Sequence, residues 1–326
     1  MDKIQRAFAI KTVPLVSGFF IGGNMRKIIC ALVIMLVAIC NCAFAANLKV
    51  KMLNVGQGDA ILIQTLEQNI LIDTSDVDER DKLRAELYKA DCYRLDKIIL
   101  THPHADHIGN AAWLIKNGVF SVRSIYDNGK ASANAYYIDY LKQCKEYSVP
   151  RYTAHAGDVI DLGGGATFTV LASASGVKNV NDDSIVGRLT YGNFAMIFTG
   201  DAETPIENLL LDEDLDLSAV VLKAGHHGSR TSNGYDFVKA VSPTYVLISA
   251  GEPTTKRGVN TYGHPHSAAL DNFLMAGVRP KNIFWTFKNG TITIETDGSN
   301  VTVTPEIVDV WVAEYLGYRL TVKRIG

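Results

Sequence analysis

The sequence predicts an α+β fold in which two mixed β-sheets are covered by helices. Short apolar runs of strand length recur at hairpin spacing, and helical segments lie between them. No internal repeat or low-complexity linker divides the chain after residue 45. We therefore expect a single domain over residues 46–326, since sheets that carry helices on their outer faces form a common layered architecture.

The amino-terminal half of this domain is predicted to alternate strands with helices. Apolar side chains alternate along its strands or fill them, and they recur at helical spacing in its helices. The predicted strands are 48–55, 60–64, 69–72, 96–100 and 121–126. The predicted helices are 78–89, 111–115 and 132–146.

The carboxyl-terminal half is predicted to consist mostly of strands separated by glycine turns. The predicted strands are 159–162, 167–171, 184–189, 193–198, 219–223, 245–249, 282–287, 290–296 and 299–303. One helix is predicted at 266–275, and the acidic stretch 209–217 is predicted to be a loop. An apolar segment, 308–322, ends the chain.

A secretory signal peptide is predicted over residues 25–45. Its basic start, Met25-Arg26-Lys27, precedes an apolar run that ends in an A-x-A cleavage pattern at 43–45. We expect residues 1–24 to be an upstream extension or an artefact of the gene model. The signal peptide would direct export of the domain to the periplasm or the extracellular space. A signal that is not cleaved would anchor the domain in a membrane.

Charge argues against tight, non-specific nucleic-acid binding. The chain has 32 Lys and Arg against 34 Asp and Glu, and five of the basic side chains but only one acidic side chain lie in residues 1–45. The mature chain therefore carries a net charge of −6, without a basic run to neutralise phosphates. Two cysteines remain after cleavage, Cys92 and Cys144, either as a disulfide or as free buried thiols.

The stretch Thr101–Gly109, THPHADHIG, predicts a metal-binding loop. It holds His102, His104, Asp106 and His107 between a predicted strand and a predicted helix. Imidazole and carboxylate groups are the ligands of zinc, manganese and iron, and a loop fixed at both ends can hold them rigidly.

The remaining histidines extend this prediction to a site for two metals. Seven of the eight histidines fall in three clusters, and Asp73 and Asp201 each end a predicted strand. So many ligands exceed the need of one tetrahedral metal and suit two metals bridged by a carboxylate and a hydroxide. The other two clusters are His226-His227 and His264-Pro265-His266.

These motifs resemble the metallo-β-lactamase fold, an αββα sandwich of two mixed sheets flanked by helices. HPHADH is similar to the HxHxDH signature of that fold. The further segments MLNVGQGDAILIQ, NDDSIV, FTGDAE and LKAGHHGSRTS resemble the branch that contains the hydrolase-like C-terminal domain of the competence protein ComEC and its stand-alone exported relatives. The resemblance spans about residues 49–290.

The resemblance implies a role for each ligand. His102 and His104 would bind the first metal, and Asp106 and His107 the second. Asp201 would bridge the two metals. Zinc is the expected metal, with manganese as an alternative.

It also implies partners for this core of the site. His227 would complete the second metal, and His226 would face the substrate. Asp73 would orient a ligand imidazole. Many members of the family place a third His on the first metal, but residues 181–184 contain none, so Asp183 is a candidate oxygen ligand in its stead.

The predicted function is that of an exported hydrolase which uses a hydroxide bridged by two metals, chiefly on phosphodiester bonds. The candidate catalytic residues are Asp106, His226 and His264. Two alternatives stay open: hydrolysis of a β-lactam, lactone or thioester by the same site, or a catalytically weak binding domain related to DNA-uptake proteins. The expected partner is a small-molecule or phosphodiester substrate, with nucleic acid disfavoured by charge and no stable membrane partner after cleavage.

Overall fold

The computed structural model describes residues 47–174, 176, 179–254, 260–309 and 312. The predicted extension and signal peptide, residues 1–45, lie outside the described residues, as does most of the apolar segment 308–322. Among the described residues, no helix combines the length and apolar character needed to cross a membrane.

The strands largely match the predicted ones, with shorter ends. In chain order they are β1 (Leu48–Met52), β2 (Ile61–Thr65), β3 (Asn69–Ile72), β4 (Arg94–Leu95), β5 (Lys97–Leu100), β6 (Ser121–Val122), β7 (Ile125–Asp127), β8 (Arg151–Thr153), β9 (Val159–Gly163), β10 (Ala166–Ala172), β11 (Val186–Tyr191), β12 (Phe194–Phe198), β13 (Val221–Lys223), β14 (Tyr245–Ile248), β15 (Ile283–Trp285), β16 (Ile292–Thr296) and β17 (Val301–Pro305). The α-helices are Arg80–Lys89, Ala105–Ile108, Ala111–Lys116, Ala135–Glu146, Thr204–Asp212, Tyr235–Val241, Ser267–Met275 and Thr286–Asn289.

Two large mixed sheets contain most of these strands. The first has the order β17-β16-β1-β2-β3-β5-β7-β8, and the second β15-β14-β13-β12-β11-β10-β9. In the first sheet β3, β5, β7 and β8 run parallel, and in the second β12 to β15 do. The other pairs in these two sheets are antiparallel, and β4 and β6 form a separate parallel pair. Parallel neighbours need a crossover connection, and this explains why the helices lie between these strands in the chain.

Three apolar layers hold the sheets and helices together. The central layer combines Ile63 and Ile72 of the first sheet with Phe168 and Phe198 of the second. One outer layer packs the first sheet against the helices at 80–89, 111–116 and 135–146. The other packs the second sheet against the helices at 204–212, 235–241 and 267–275. The predicted αββα sandwich is therefore confirmed.

Two segments were predicted partly wrongly. The predicted strand 282–287 ends at Trp285, and a helix, Thr286–Asn289, follows it. Residues 209–217 were expected to be an acidic loop, which holds for 213–217, but Thr204–Asp212 is a helix that buries Ile206 and Leu210. Pro205 lies in its first turn, where the missing N–H costs nothing. The two buried side chains are four residues apart and face the second sheet, and this burial outweighs the acidic surface.

Packing between β10 and β11 depends on a glycine. A Cβ atom built on Gly187 would lie 1.9 Å from Cζ of Phe168. The phenyl ring therefore covers the space that any other residue at position 187 would fill.

The two described cysteines are free. Cys92 and Cys144 are both buried in the apolar layer beneath the first sheet. Burial raises the pKa of the Cys92 thiol to about 12 and that of Cys144 to about 11. Of the two states left open by the sequence, the structure has the free thiols.

Candidate metal centre

The predicted site residues follow the carboxyl ends of four strands. Asp73 follows β3, His102 follows β5, Asp201 follows β12, and the turn containing His227 follows β13. β3 and β5 are parallel neighbours, and so are β12 and β13. Each sheet thus brings two loops to one edge, where sites of open α/β sheets usually form.

His107 is held by a buried carboxylate. Its Nδ1 atom donates a hydrogen bond to Asp73 Oδ2 at 2.7 Å. Asp73 is fully buried, and its Oδ1 accepts from the backbone N–H of Thr101 at 2.8 Å. This contact is the one expected of Asp73, and it leaves the Nε2 lone pair of His107 directed at the cluster.

His227 is held by a backbone carbonyl. Its Nδ1 atom donates to the Ser249 carbonyl oxygen at 2.8 Å. Its Nε2 atom lies 3.3 Å from Asp106 Oδ2 and 3.5 Å from Asp201 Oδ2. The tautomer of His227 is therefore also determined, with Nε2 as the free ligand atom.

Four ligand atoms converge at this point. One atom each from Asp106, His107, Asp201 and His227 lies within 4.8 Å of the others. His107 Nε2, His227 Nε2 and Asp201 Oδ1 are buried and have no hydrogen-bond partner among the described residues. Unpaired buried polar atoms are costly, and a bound cation would satisfy all three. The residues present therefore fit a divalent metal ion of the kind expected at the second position.

The charges in the cluster favour a cation. Burial alone would raise the pKa of the Asp201 carboxyl, but His107 and His227 outweigh burial and hold this pKa well below its usual value. Burial lowers the pKa of His102 well below its usual value, and the neighbouring His107 lowers it further. Asp201 is thus ionised and His102 neutral, as metal ligands require. Burial lowers the pKa of His107 and His227, but Asp201 and the other nearby carboxylates outweigh burial and raise both pKa values well above the usual one. A metal ion bound at these two imidazoles would therefore displace their protons.

His102 and His104 form the other half of the site. His102 Nε2 lies 3.0 Å from His104 Nδ1 and 3.9 Å from Asp201 Oδ2. Two nitrogens on a tetrahedral zinc lie roughly 3.3 Å apart, since each Zn–N bond is about 2.0–2.1 Å long. The pair therefore has the spacing of two ligands on one metal beside Asp201.

Asp183 lies apart from this pair. Its Oδ1 atom is 3.7 Å from Lys130 Nζ, and its side chain does not line the cleft formed by the described residues. The next residue approaches the histidines instead, with Ser184 Oγ 3.3 Å from His102 Nδ1. Asp183 Oδ1 is likewise buried without a hydrogen-bond partner among the described residues, but its charge is paired with Lys130 rather than with the clustered histidines.

His226 and His264, the other two candidate catalytic residues with Asp106, lie beside the cluster and line the same cleft. His226 Nδ1 lies 3.1 Å from Glu203 Oε1, and its Nε2 lies 3.7 Å from Asp201 Oδ2. Burial lowers the pKa of both imidazoles, that of His264 to about 3. Both are therefore neutral at physiological pH in these surroundings.

The structure adds a buried ion pair that the sequence analysis missed. Lys223 Nζ lies 2.5 Å from Asp59 Oδ2 and donates to the Gly200 carbonyl at 3.0 Å. Asp59 Oδ1 in turn lies 3.4 Å from His227 Nδ1. Asp59 ends the VGQGD motif and Lys223 precedes the HHGS motif, so both motifs contained the signal, but their pairing depends on the fold.

Part of the cluster opens onto a cleft of about 510 Å³. Its walls are Gln57, His104, Ala105, Asp106, Asn134, Asn181, Asp201, His226, His227, Tyr262 and His264. A second depression of about 270 Å³ adjoins it and shares Gln57, Ala105, Asp106 and Tyr262. That depression is acidic, because Asp76, Asp78 and Glu79 line it as well.

Known proteins share this sequence pattern. The model of the metallo-β-lactamase superfamily matches residues 53–252. ComE operon protein 3 of Bacillus subtilis is 30% identical over 282 residues, which cover 81% of this chain and 35% of that protein. Competence protein ComA of Neisseria gonorrhoeae is 31% identical over 228 residues, which cover 69% and 29%. The chain thus spans about a third of the length of these relatives, and the resemblance to the ComEC-like branch is confirmed.

A solved structure supports the fold independently. The metallo-β-lactamase fold protein YhfI from Bacillus subtilis superposes with a TM-score of 0.51 at 14% identity, over 77% of this chain and 100% of that one. Fold, ligand arrangement and family match therefore agree: the chain belongs to the metallo-β-lactamase superfamily.

Proposed function

We propose that the protein is a metal-dependent phosphodiesterase that acts on small substrates. The observation that carries the proposal is the convergence of His107, His227 and Asp201, whose Nε2, Nε2 and Oδ1 atoms have no hydrogen-bond partner among the described residues. Asp201 and His227 also line an open cleft. Two divalent metal ions, zinc or manganese, would supply hydroxide at neutral pH and withdraw charge from the attacked ester. The remaining chemistry belongs to the side chains around them.

His226 would relay a proton to the leaving group. Its Nδ1 is engaged by Glu203, so Nε2 of the neutral imidazole would accept a proton from water on the cleft side and then give it to the leaving oxygen. His264 lines the same cleft, and its ring centroid lies 5.3 Å from that of His226. A neutral His264 would donate a hydrogen bond to the negative charge that develops on the substrate.

The size and charge of the cleft favour a small substrate over DNA. A phosphodiester would meet cationic metals at its centre, but a long polyanion would also pass the acidic wall of Asp76, Asp78 and Glu79. Repulsion there and the negative charge of the mature chain both oppose binding of nucleic acid. The similarity to competence proteins is the argument in favour of DNA as the substrate. Comparing the hydrolysis rates of dinucleotides and single-stranded DNA would distinguish a small substrate from DNA.

The direct test is hydrolysis of bis-p-nitrophenyl phosphate. We expect turnover that EDTA abolishes and that zinc or manganese restores. His102→Ala and Asp201→Ala should lose metal as well as activity, since each removes a ligand. Absence of turnover with every divalent metal tried would refute the proposal.

Two other functions would give different results in the same assays. Cleavage of a chromogenic cephalosporin, a lactone or a thioester without phosphodiesterase activity would assign the site to that chemistry. Purified protein that holds fewer than about one metal ion per chain would indicate a binding domain, because the proposed hydrolysis needs metal ions bound at the site.

We also propose that the domain is exported. The support is the predicted signal peptide at residues 25–45. Expression from Met25 with a carboxyl-terminal tag should yield exported protein that begins after Ala45. Retention of the intact amino terminus in the membrane fraction would indicate an anchor instead.

A further inference from the structure

The first-metal half of the site lacks a third protein ligand of the usual kind. His102 and His104 contribute two nitrogens, and Asp201 lies between the two halves. The ligand groups of three or more His, Cys, Asp or Glu in the described residues include neither histidine. An amide oxygen, however, is also a metal ligand, particularly for manganese, magnesium and calcium.

Asn181 offers such an oxygen. It is the first residue of a 3₁₀ turn, Asn181–Asp183, and only 9% of its surface is exposed. Its side chain lines the cleft together with His104 and Asp201, and it contacts the His104 imidazole. Its Oδ1 atom is buried and makes no hydrogen bond of regular geometry with the described residues. Burial lowers the pKa of the His104 imidazole, but Asn181 lies close enough to that ring to raise this pKa and so oppose part of the shift.

The orientation of this amide is determined by its other end. Asn181 Nδ2 donates to Glu203 Oε1 at 3.2 Å. The opposite orientation would bring the amide oxygen against the Glu203 carboxylate, and two acceptors repel each other. The oxygen must therefore point away from Glu203, into the space beside His104.

Glu203 connects this amide to the rest of the site. Glu203 follows the bridging Asp201 by two residues, and its backbone N–H donates to Asp182 Oδ1 at 2.9 Å. The 3₁₀ turn that carries Asn181 is thus tied to the loop that carries Asp201. These hydrogen bonds hold the amide of Asn181 and the loop of Asp201 in one unit.

We propose that Asn181 Oδ1 is the third protein ligand of the metal held by His102 and His104. This inference rests on the proposed metal-dependent function, and it assigns to Asn181 the position for which the sequence suggested Asp183. An oxygen ligand in place of a third imidazole should shift the preference of this half of the site from zinc toward manganese.

The test is manganese binding by matched variants. Wild-type protein should bind two Mn²⁺ ions and give the exchange-coupled electron paramagnetic resonance signal of a bridged pair. Asn181→Leu keeps the shape but removes the oxygen, and it should bind one Mn²⁺ with an uncoupled signal. The second ion should bind at least about 100-fold more weakly, since even groups that only orient a ligand contribute about 10–100-fold.

Two further variants control this experiment. Asn181→Asp retains an oxygen toward the metal but turns a second oxygen toward the Glu203 carboxylate, so it should still bind both ions, the second one more weakly than the wild type does. Asn179→Leu removes a hydrogen bond to the same carboxylate, from Asn179 Nδ2 to Glu203 Oε2 at 3.0 Å, and it should also keep both ions. Circular dichroism establishes that each variant is folded.

The inference and the proposed function fail in different ways. A coupled manganese pair in Asn181→Leu, or its loss in Asp183→Asn but not in Asn181→Leu, overturns the inference. Wild-type protein that binds only one ion overturns it as well. A wild-type manganese pair with no hydrolysis of any substrate refutes the function and leaves the ligand assignment standing.

Discussion

His107 and His227 present the same ring nitrogen to the cluster but are oriented by different groups. A carboxylate, Asp73, accepts from one, and the neutral carbonyl of Ser249 accepts from the other. A carboxylate increases the electron density of the imidazole more than a carbonyl does. We therefore expect His107 to depend more strongly on its partner.

Replacing Asp73 tests this dependence. Asp73→Asn should weaken binding of the metal at His107 by about 10–100-fold, because the partner of Nδ1 loses its charge and the tautomer is no longer fixed. Competition with a fluorescent chelator measures the change. Asp96→Asn is the matched control, since Asp96 is a buried aspartate before the opposite end of β5 and pairs with Arg94. An affinity unchanged in Asp73→Asn would contradict the expectation.

The proposed ligand residues could be located from the sequence where they form a continuous motif, but not where the direction of each side chain decides which residue reaches the site. The motif THPHADHIG indicates a metal site directly, because its three histidines and one aspartate lie within six residues. Residues 181–183, by contrast, form a 3₁₀ turn in which successive side chains point about 120° apart. Sequence alone cannot say which of them faces the cleft, and Asp183, the more obvious ligand, lies near Lys130 instead.

The site is built at the carboxyl ends of strands, and the last residue of β13 connects two of the loops that form it. This residue, Lys223, is 1% exposed and holds Asp59 and the Gly200 carbonyl. This ammonium connects the loop before β2 with the loop after β12. It thereby links the edges of the two sheets at the cleft.

Removing this ammonium should be strongly destabilising. Lys223→Met leaves the buried carboxylate of Asp59 without its main counter-charge, and we expect a loss of about 3–5 kcal/mol in the free energy of unfolding. Urea denaturation in the presence of a chelator measures it without interference from metal. Lys49→Met, which breaks the exposed pair with Glu295, should cost no more than about 1 kcal/mol.

A double variant distinguishes the mechanism. Lys223→Met combined with Asp59→Leu removes both charges, and it should recover much of the lost stability because no unpaired charge remains buried. A double variant as unstable as Lys223→Met alone would show that packing, rather than charge, is the cause.

The contact between β10 and β11 gives a second prediction about strands. Gly187→Ala introduces a methyl group where the Phe168 ring lies, and we expect it to cost about 1–3 kcal/mol through overpacking. Thermal unfolding measures the loss. In a Phe168→Leu background the same change should cost less, since the two residues are in contact and their effects do not add. Equal costs in both backgrounds would rule out the ring as the cause.

Most elements were predictable because one face of each is apolar and periodic. β3, for example, has the predicted bounds, 69–72. The helix Tyr235–Val241 and the strand Arg151–Thr153 were not predicted. All three residues of that strand are exposed, so it lacks the alternation by which strands are recognised. It exists because backbone hydrogen bonds with β7 extend the sheet.

The ligands of the proposed metals come from both large sheets. His107 follows β5 of the first sheet, and Asp201 follows β12 of the second. A metal ion bound to both residues would join the two sheets of the sandwich. Only the native fold brings these ligands together, so only the native fold can bind the ion tightly. Metal binding and global stability should therefore be coupled.

Chelation should lower the melting temperature. At a metal concentration about 100-fold above the dissociation constant, one site adds about 2.7 kcal/mol to the free energy of unfolding, which corresponds to several degrees in a domain of this size. Differential scanning calorimetry with and without EDTA measures the shift. Asp201→Ala should show no response to EDTA, and an equal response in both proteins would mean that the metal acts elsewhere.

The two free thiols beneath the first sheet can report local unfolding of the domain, because they react only when they become exposed. Cys92 is inaccessible and Cys144 nearly so, and their raised pKa values leave little thiolate to react at neutral pH. An alkylating reagent can therefore modify them only when the outer helices detach. The labelling rate, followed by mass spectrometry, reports how often that layer opens without any engineered probe.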